Sequence, residues 1–333
     1  MATAQPEIMT DSIIPGLVGK QETIITTPGL VSFPDDVPPV AIITQGPLAW
    51  ASSRFRGAWL QQADPNLFRW FPPDKELRLA GHKVLVFQKR HSPQDTLLAE
   101  RAKERGVRIV VDLTDPLWWF DPQSVGKMMQ IADVVTVSSA GLEKAVRDGG
   151  QVKRVVHIPD RMLPHFHPTT AQHGPREVVT LVWFGLAYNR VALTGALPIL
   201  AYVSNMGHKI RLRIIDDLPT ERMQVTGPFE IEHVPWTLET IHAQLTACDI
   251  AVLPPYPGPW GDLKGNNKQV TAGWCGLPVV DGYNPVELVA LIADDKLRKA
   301  DGERERQFAE KDYDIAQSVA QWRELLKELG VTP

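Results

Sequence analysis

"KVLVFQKRHSPQDTLLAERAKERGVRIVVDLTD", residues 83–115, carries two apolar, β-branched runs on either side of one polar stretch. Each run is apolar at successive positions, as in a strand buried on both faces, and does not alternate as a half-wet strand would. The stretch between them opens on Ser92-Pro93 and closes on Gly106, a helix start and a helix stop. Two buried strands joined by a helix form a βαβ unit, and a parallel sheet follows.

The same unit recurs on both sides. Toward the N-terminus stand "PVAIITQG" and the helical "SRFRGAWLQQA"; toward the C-terminus come "PQSVGKMMQIA", "ADVVTVSS" and "VKRVVHIPD". Residues 163–177, "LPHFHPTTAQHGPRE", break the rhythm with the composition of a linker. Its histidines, His165, His167 and His173, are expected to be solvated and not metal ligands. Strand and helix then alternate again. "EVVTLVWFG", "KIRLRIID", "FEIEHVPW", "CDIAVLPP" and "GLPVVDG" read as strands, with "VALTGALPILAYVSNMG", "TLETIHAQLTAC" and "NNKQVTAGWC" as helices between them. Ile315, Val319, Trp322, Leu325 and Leu326 form one stripe on a last helix that stops at Gly330. The fold class is therefore α/β, with two doubly wound Rossmann-like domains. The expected divisions are an extended arm over 1–38, a first domain over 39–165, a linker over 166–177, a second domain over 178–305 and C-terminal helices over 306–333.

The 333 residues are 44% hydrophobic and 22% charged, with a net charge of −4, so no global attraction to nucleic acid or anionic membrane is built in. Cys248 and Cys275 lie in apolar contexts without metal-ligand spacing, which fits core packing in a reducing compartment; no metal site is expected. No basic, apolar leader opens the chain and no run approaches the length of a membrane span, so the expectation is a cytoplasmic protein.

Ligands of open α/β sheets bind beyond the carboxyl ends of the strands. In the second half those ends hold Gly185, followed by "LAYNR" with Asn189 and Arg190, then Asp216, then Trp236. After the fourth strand, "GDLKGNNKQ" sets Lys264 and Lys268 around a helix start that Asn266 or Asn267 can cap. A cation at a helix N-terminus is mildly unfavourable. A bound diphosphate would offset that cost by drawing on the dipole, the amides and both ammonium groups. Lysines pointing into water fit the spacing equally well. In the first half, Ser53, Arg54 and Arg56 follow the first strand, Lys89 and His91 the second, and Asp112 and Asp115 the third, ahead of Trp118-Trp119. Arginine could grip an anionic or hydroxyl-rich substrate there, and a carboxylate or imidazole could serve a hydroxyl as base. Capping of turns by the two aspartates fits as well. No GxGxxG, P-loop, nucleophile elbow or HExxH occurs.

Taken in order, "SSRFR", "VLVFQKR", "VVDLTDPLWW", "ADVVTVSSAGLEKAV", "VVHIPD", "LVWFG", "ACDIAVLPP", "NNKQVTAGWCGLPVV" and "YDIAQSVAQWRELL" resemble the GT-B-fold glycosyltransferases of the group-1-like branch. The resemblance spans roughly 40–328 and rests more on order than on any one motif. It implies a nucleotide sugar, UDP- or GDP-linked, held as co-substrate by the second domain, and a hydroxyl acceptor held by the first. It also implies metal-independent transfer between them and a last helix crossing back onto the first domain. Lys268 matches the lysine on the donor diphosphate, Gly185 the glycine beside the phosphates, and the 234–236 segment the part that reads the base. The family commonly carries glutamate three residues after that lysine; here Thr271 stands in its place, and a bidentate carboxylate grip is lost. The acceptor classes left open are glycan, lipid-linked sugar, protein and modified DNA base. Two other readings keep the fold: a nucleotide-sugar epimerase, and a non-catalytic binding module.

Overall fold

Strands and helices alternate as the buried apolar runs require. The structure, a computed structural model, describes residues 37–150, 152–218, 220, 223 and 227–332; the arm expected over 1–38 lies outside them up to residue 36. The first sheet is built from β1 (Val40–Thr44), β2 (Phe68–Phe71), β3 (Val84–Gln88), β4 (Arg108–Leu113), β5 (Val134–Val137) and β6 (Val155–His157). Its order is β2-β1-β3-β4-β5-β6, and every pairing is parallel. Around it lie α1 (Ala51–Ser53), a π-helical turn (Arg54–Ala58), α2 (Trp59–Ala63), α3 (Pro93–Glu104), α4 (Pro122–Ile131) and α5 (Ala140–Asp148). In α3, Ser92 and Asp95 form a reciprocal capping box with Pro93 in the first turn, so the helix begins where the sequence places it.

The second sheet holds β7 (Val179–Phe184), β8 (Ile210–Asp216), β9 (Glu230–Pro235), β10 (Ile250–Val252) and β11 (Val279–Val280) in the order β11-β10-β7-β8-β9, again all parallel. Its helices are α6 (Arg190–Thr194), α7 (Leu197–Asn205), α8 (Ile241–Thr246), α9 (Pro259–Leu263), α10 (Asn267–Trp274), α11 (Pro285–Ala293), α12 (Asp295–Asp312) and α13 (Ile315–Glu328). The one helix expected over 191–207 is two. Gly195 ends α6, and Pro198, which has no N–H for an interior helical bond, sits in the first turn of α7. Strand β2 and helix α9 are further elements that the sequence reading assigned to no strand or helix.

The last helix does cross back. Ile315, Trp322, Leu325 and Leu326 of α13 are buried in one core with Val40, Phe68, Val84 and Val110 of the first sheet, and Trp322 meets Phe68 edge-on at 6.0 Å. Arg323 pairs with Asp64 and Arg154 with Glu328 around that seam. Burying two tryptophan- or leucine-sized side chains contributes on the order of 3–6 kcal/mol, which ties the chain's end to its beginning. No helix among the described residues is long and apolar enough to cross a membrane.

Candidate active site

The carboxyl ends of the two sheets face each other, and several contacts span the cleft. Lys264 Nζ reaches Asp115 at 2.6 Å, Ser139 Oγ donates to the Leu263 carbonyl at 2.7 Å, Arg54 lies over Trp236, and Trp119 meets Trp260. Gly141 takes part: a Cβ there would stand 2.2 Å from the Asp262 carbonyl, so the approach of α5 to α9 requires glycine.

On the second-sheet side, Lys268 lies in the first turn of α10, and no side chain caps that helix. The capping expected of the asparagines is not found. Asn266 donates instead to the Tyr313 hydroxyl at 2.7 Å, and Asn267 faces Asp160. The first-turn N–H groups and the positive end of the dipole are thus left for another partner. Lys268 Nζ sits 4.5 Å from the centre of the Trp183 indole and has no ion pair among the described residues. Burial, and secondarily the charge of Lys264, lowers its pKa to about 8. Gly185 makes room for it, since a Cβ at that position would meet Nζ at 2.8 Å and the Trp183 ring at 3.3 Å. Thr271 Oγ donates back to the Asn267 carbonyl at 2.7 Å, so its proton is spent within the helix.

Asp216 and Arg190 do not open into the cleft as a free pair. Asp216 is fully buried and holds Arg190 by two bonds, 2.6 and 2.8 Å, while accepting from Leu218 N–H. This clamp shapes the turn after β7 on which Asn189 sits. The Trp236 N–H is anchored on the Asp216 carbonyl at 2.7 Å. Over the Trp236 ring, at 4.9 Å, stands Arg54, which the sequence assigned to the acceptor. The guanidinium also donates to the carbonyls of Leu48 and Ala49, and burial lowers its pKa to about 10. Arg54 therefore stands with Trp236, and the cation–π contact joins the two halves there.

On the first-sheet side several expected residues lie beneath the surface. Asp112, 1% exposed, accepts from Arg56 Nε at 3.1 Å, from Arg56 Nη2 at 2.5 Å and from Thr136 Oγ at 2.6 Å. Arg56 spends its remaining donor on the Ile158 carbonyl and lies 3.7 Å from Asp160. Ser53 is wholly buried. Asp112, Arg56 and Ser53 are therefore corrected from acceptor-facing groups to parts of the floor: strand β4, the π-helical turn and helix α1 point these side chains inward. Asp115 and Lys89 do reach the cleft. Asp115 bridges Lys89 and Lys264, each at 2.6 Å. Burial alone would raise its pKa, but the two ammonium groups outweigh that and hold the carboxyl below its usual range. Lys89 adopts φ 57°, a left-handed backbone that a lysine rarely takes, in the turn after β3. His91, partly exposed beside it, has Nδ1 3.3 Å from the Lys89 carbonyl and Nε2 3.8 Å from Asp121.

Three features went unseen in the sequence. Trp260 packs against Trp119 at 5.7 Å and Phe120 at 5.3 Å and carries Lys264 over its face at 5.0 Å; Phe120 is 73% exposed at the cleft mouth. Trp183 is the platform under Lys268. Asp160 is buried behind Arg56, and burial pushes its pKa up to about 6 against the pull of Arg56. Only Trp260 left a signal, an aromatic in the loop that carries Lys264.

No protein-family model matches the chain, and no curated protein does. Solved structures do. An α-glucosyltransferase in complex with UDP-glucose and DNA containing an abasic site superposes with a TM-score of 0.62 at 11% identity, over 86% of this chain and 98% of that one. Anabaena HepE in complex with UDP gives 0.58 at 13% identity, over 88% and 100%. Staphylococcus aureus TarM in complex with UDP gives 0.54 at 11% identity; the match covers 73% of this chain and only 55% of TarM. At such identities the likeness is one of fold: two facing Rossmann-like domains in the GT-B arrangement.

Proposed function

We propose that this GT-B-fold chain is a glycosyltransferase that moves a sugar from a nucleoside diphosphate to a hydroxyl group held between the two sheets. The observation that carries the reading is Lys268: a buried ammonium with no carboxylate partner among the described residues, at the uncapped N-terminus of α10. A lone buried cation is costly, and a diphosphate satisfies it, the helix dipole and the first-turn amides together. Charge grows on that diphosphate as the glycosidic bond breaks, so the same groups stabilise the transition state more than the ground state.

Gly185 lets the phosphates approach β7, and Trp236 offers its ring to the base. UDP is favoured over GDP because it is the nucleotide held by the similar structures. On the acceptor side Asp115 stays ionised and accepts a hydrogen bond from the incoming hydroxyl, with His91 beside it to take a proton. Trp119, Phe120 and Trp260 give the acceptor an aromatic wall, suited to the apolar face of a sugar or to a planar base. An acceptor hydroxyl on nucleic acid is the version with the sharpest signature, because phosphate contacts make binding fall steeply with salt.

A thermal-shift screen of nucleotide sugars on the wild type and on Lys268→Ala tests the reading. One UDP-sugar should raise the Tm of the wild type and leave the variant unmoved. Equal stabilisation of both would remove Lys268 from the donor site; stabilisation by none, with the protein folded, would favour a binding module without a donor.

A further inference from the structure

We propose that His167, His242 and Cys275 form a transition-metal site, of the class that takes Zn2+, pinning the segment between the two sheets to helices α8 and α10. The linker histidine expected in solvent is in fact 3% exposed, and Cys275 is wholly buried beside it. His167 lies just past a 3-10 turn (Pro164–Phe166), His242 is in α8, and Cys275 caps the end of α10. These three elements are distant in sequence, and their donor atoms converge: Nδ1 to Nδ1 is 3.0 Å, Sγ to His167 Nδ1 is 3.3 Å and Sγ to His242 Nδ1 is 3.9 Å.

Those edges lie within about 0.4 Å of a coordination polyhedron. Tetrahedral zinc with ordinary Zn–N and Zn–S lengths sets its nitrogens about 3.4 Å apart and nitrogen and sulfur about 3.6 Å apart. Hydrogen bonding fits the triangle less well. A neutral imidazole has one N–H and one lone pair. If His242 Nδ1–H donates to His167, the Cys275 S–H competes for the same lone pair. If His167 donates to His242, its N–H faces the thiol and the His242 lone pair is already taken. In either tautomer one proton or one lone pair serves two contacts, whereas a cation accepts all three at once.

The surroundings suit the ligand forms. Thr169 Oγ lies 2.8 Å from His242 Nε2 and fixes that ring with Nδ1 pointing inward. Arg306 donates to the carbonyls of His167 and Trp274. Glu310 at 2.5 Å balances the Arg306 charge, and burial holds the Cys275 thiol well above its usual range, so a bound cation has to displace that proton. The half-buried edge of His242 is the way in, and it leaves a fourth position for water. Helix α10 begins at Asn267, one residue before Lys268, and α8 follows Trp236. Metal here would hold the phosphate helix and the base-reading turn in fixed relation.

The test uses the full chain prepared without a polyhistidine tag. Titration with Co2+ should develop a thiolate-to-cobalt charge-transfer band and intense tetrahedral d–d bands that saturate at one ion per chain, and Zn2+ should abolish them. Cys275→Ser should lose the charge-transfer band, Cys248→Ser should keep it, and His242→Asn should weaken the binding at least tenfold with an unchanged far-ultraviolet spectrum. Zn2+ should raise the Tm of the wild type and not of His242→Asn, because binding to the folded state alone is stabilising. Absence of the band in folded wild type, or a band that survives Cys275→Ser, would overturn the site. Should Cys275→Ser not fold, an unaltered cobalt titration in His242→Asn would overturn it equally.

Discussion

The two walls of the cleft treat their charges in opposite ways. On the first-sheet wall Arg56 is answered by Asp112 and Lys89 by Asp115, which Lys264 also meets from across the cleft, while Arg54 rests on two carbonyls and the Trp236 ring. On the second-sheet wall Asp216 answers Arg190, but Lys268 has no ion pair among the described residues and stands over the face of Trp183. A closed ionic network holds shape. A buried cation without a counter-ion stores a demand for an anion. Arg56, which looks like a substrate grip, is held in a closed ionic network, and on the proposed reading the less conspicuous Lys268 is the group that meets the phosphates.

Arg56→Ala should break the comparison on the scaffolding side with the largest effect. It leaves Asp112 buried without its partner, a change that costs about 3–5 kcal/mol. Urea unfolding should show that loss, while the remaining folded protein binds UDP as before; a stable variant with lost nucleotide affinity would make Arg56 a ligand after all. Lys268→Met should do the reverse. Affinity for UDP should fall roughly 10- to 100-fold, the worth of a charge-assisted bond, and the unliganded protein should become more stable. The folded pKa of about 8 lies below the unfolded value near 10.4, so the folded state binds fewer protons between them. Wild-type stability then climbs as pH rises from about 8 to 10, and the cost of roughly 2–4 kcal/mol is fully present below pH 8. The methionine variant should lack that slope. A Tm below wild type at pH 7 would show that the ammonium is compensated without ligand.

Asp115→Asn probes the seam between the walls. Lys89 and Lys264 would lose their shared counter-ion, at a cost of about 1–2 kcal/mol for a partly buried pair. Lys264 would then be free for the diphosphate, and calorimetry should show pyrophosphate binding several-fold more tightly. Weaker binding would mean that Asp115 aligns Lys264 for the phosphate instead of competing for it.

The parallel sheets and the last helix were legible because they rest on runs or stripes of buried residues, such as 84–88 and 108–113, whose periodicity survives in one dimension; the return of that helix to the first sheet was implied by the family resemblance alone. The places of Lys268 at a helix start and Gly185 at a strand end were legible for a related reason, whereas the donor role proposed for them was carried by the family resemblance. Burial of single polar side chains was not legible. Asp112 and Asp115 are three residues apart at one strand end, an odd spacing that sends them to opposite faces, and neither residue marks which face is the floor and which the cleft. The π-helical turn did the same to Arg54 and Arg56, adding a residue to the turn and sending one guanidinium to Trp236 and the other to Asp112. His167 shows the limit of composition: a linker sequence became core because α8 and α10 pack around it.

Thr271→Glu should have the smallest effect and would sharpen the account of the lone cation. Position 271 lies one turn beyond Lys268 on the same helix, where an acidic partner of a lysine is worth about 0.2–0.5 kcal/mol. A carboxylate there has two uses. Paired with Lys268 it would raise the lysine's pKa and blunt its demand for phosphate, so pyrophosphate would bind slightly less well. Directed at the ribose it would add a hydrogen bond of about 1 kcal/mol, so UDP would bind roughly fivefold better than pyrophosphate does, relative to wild type. The ratio of the two affinities separates these uses without any need for an acceptor. An increased ratio would mean that the donor pocket keeps a place for the glutamate it lacks. An unchanged ratio would mean that the ribose lies elsewhere, and the position of Trp236 as the base-reading group would fall with it.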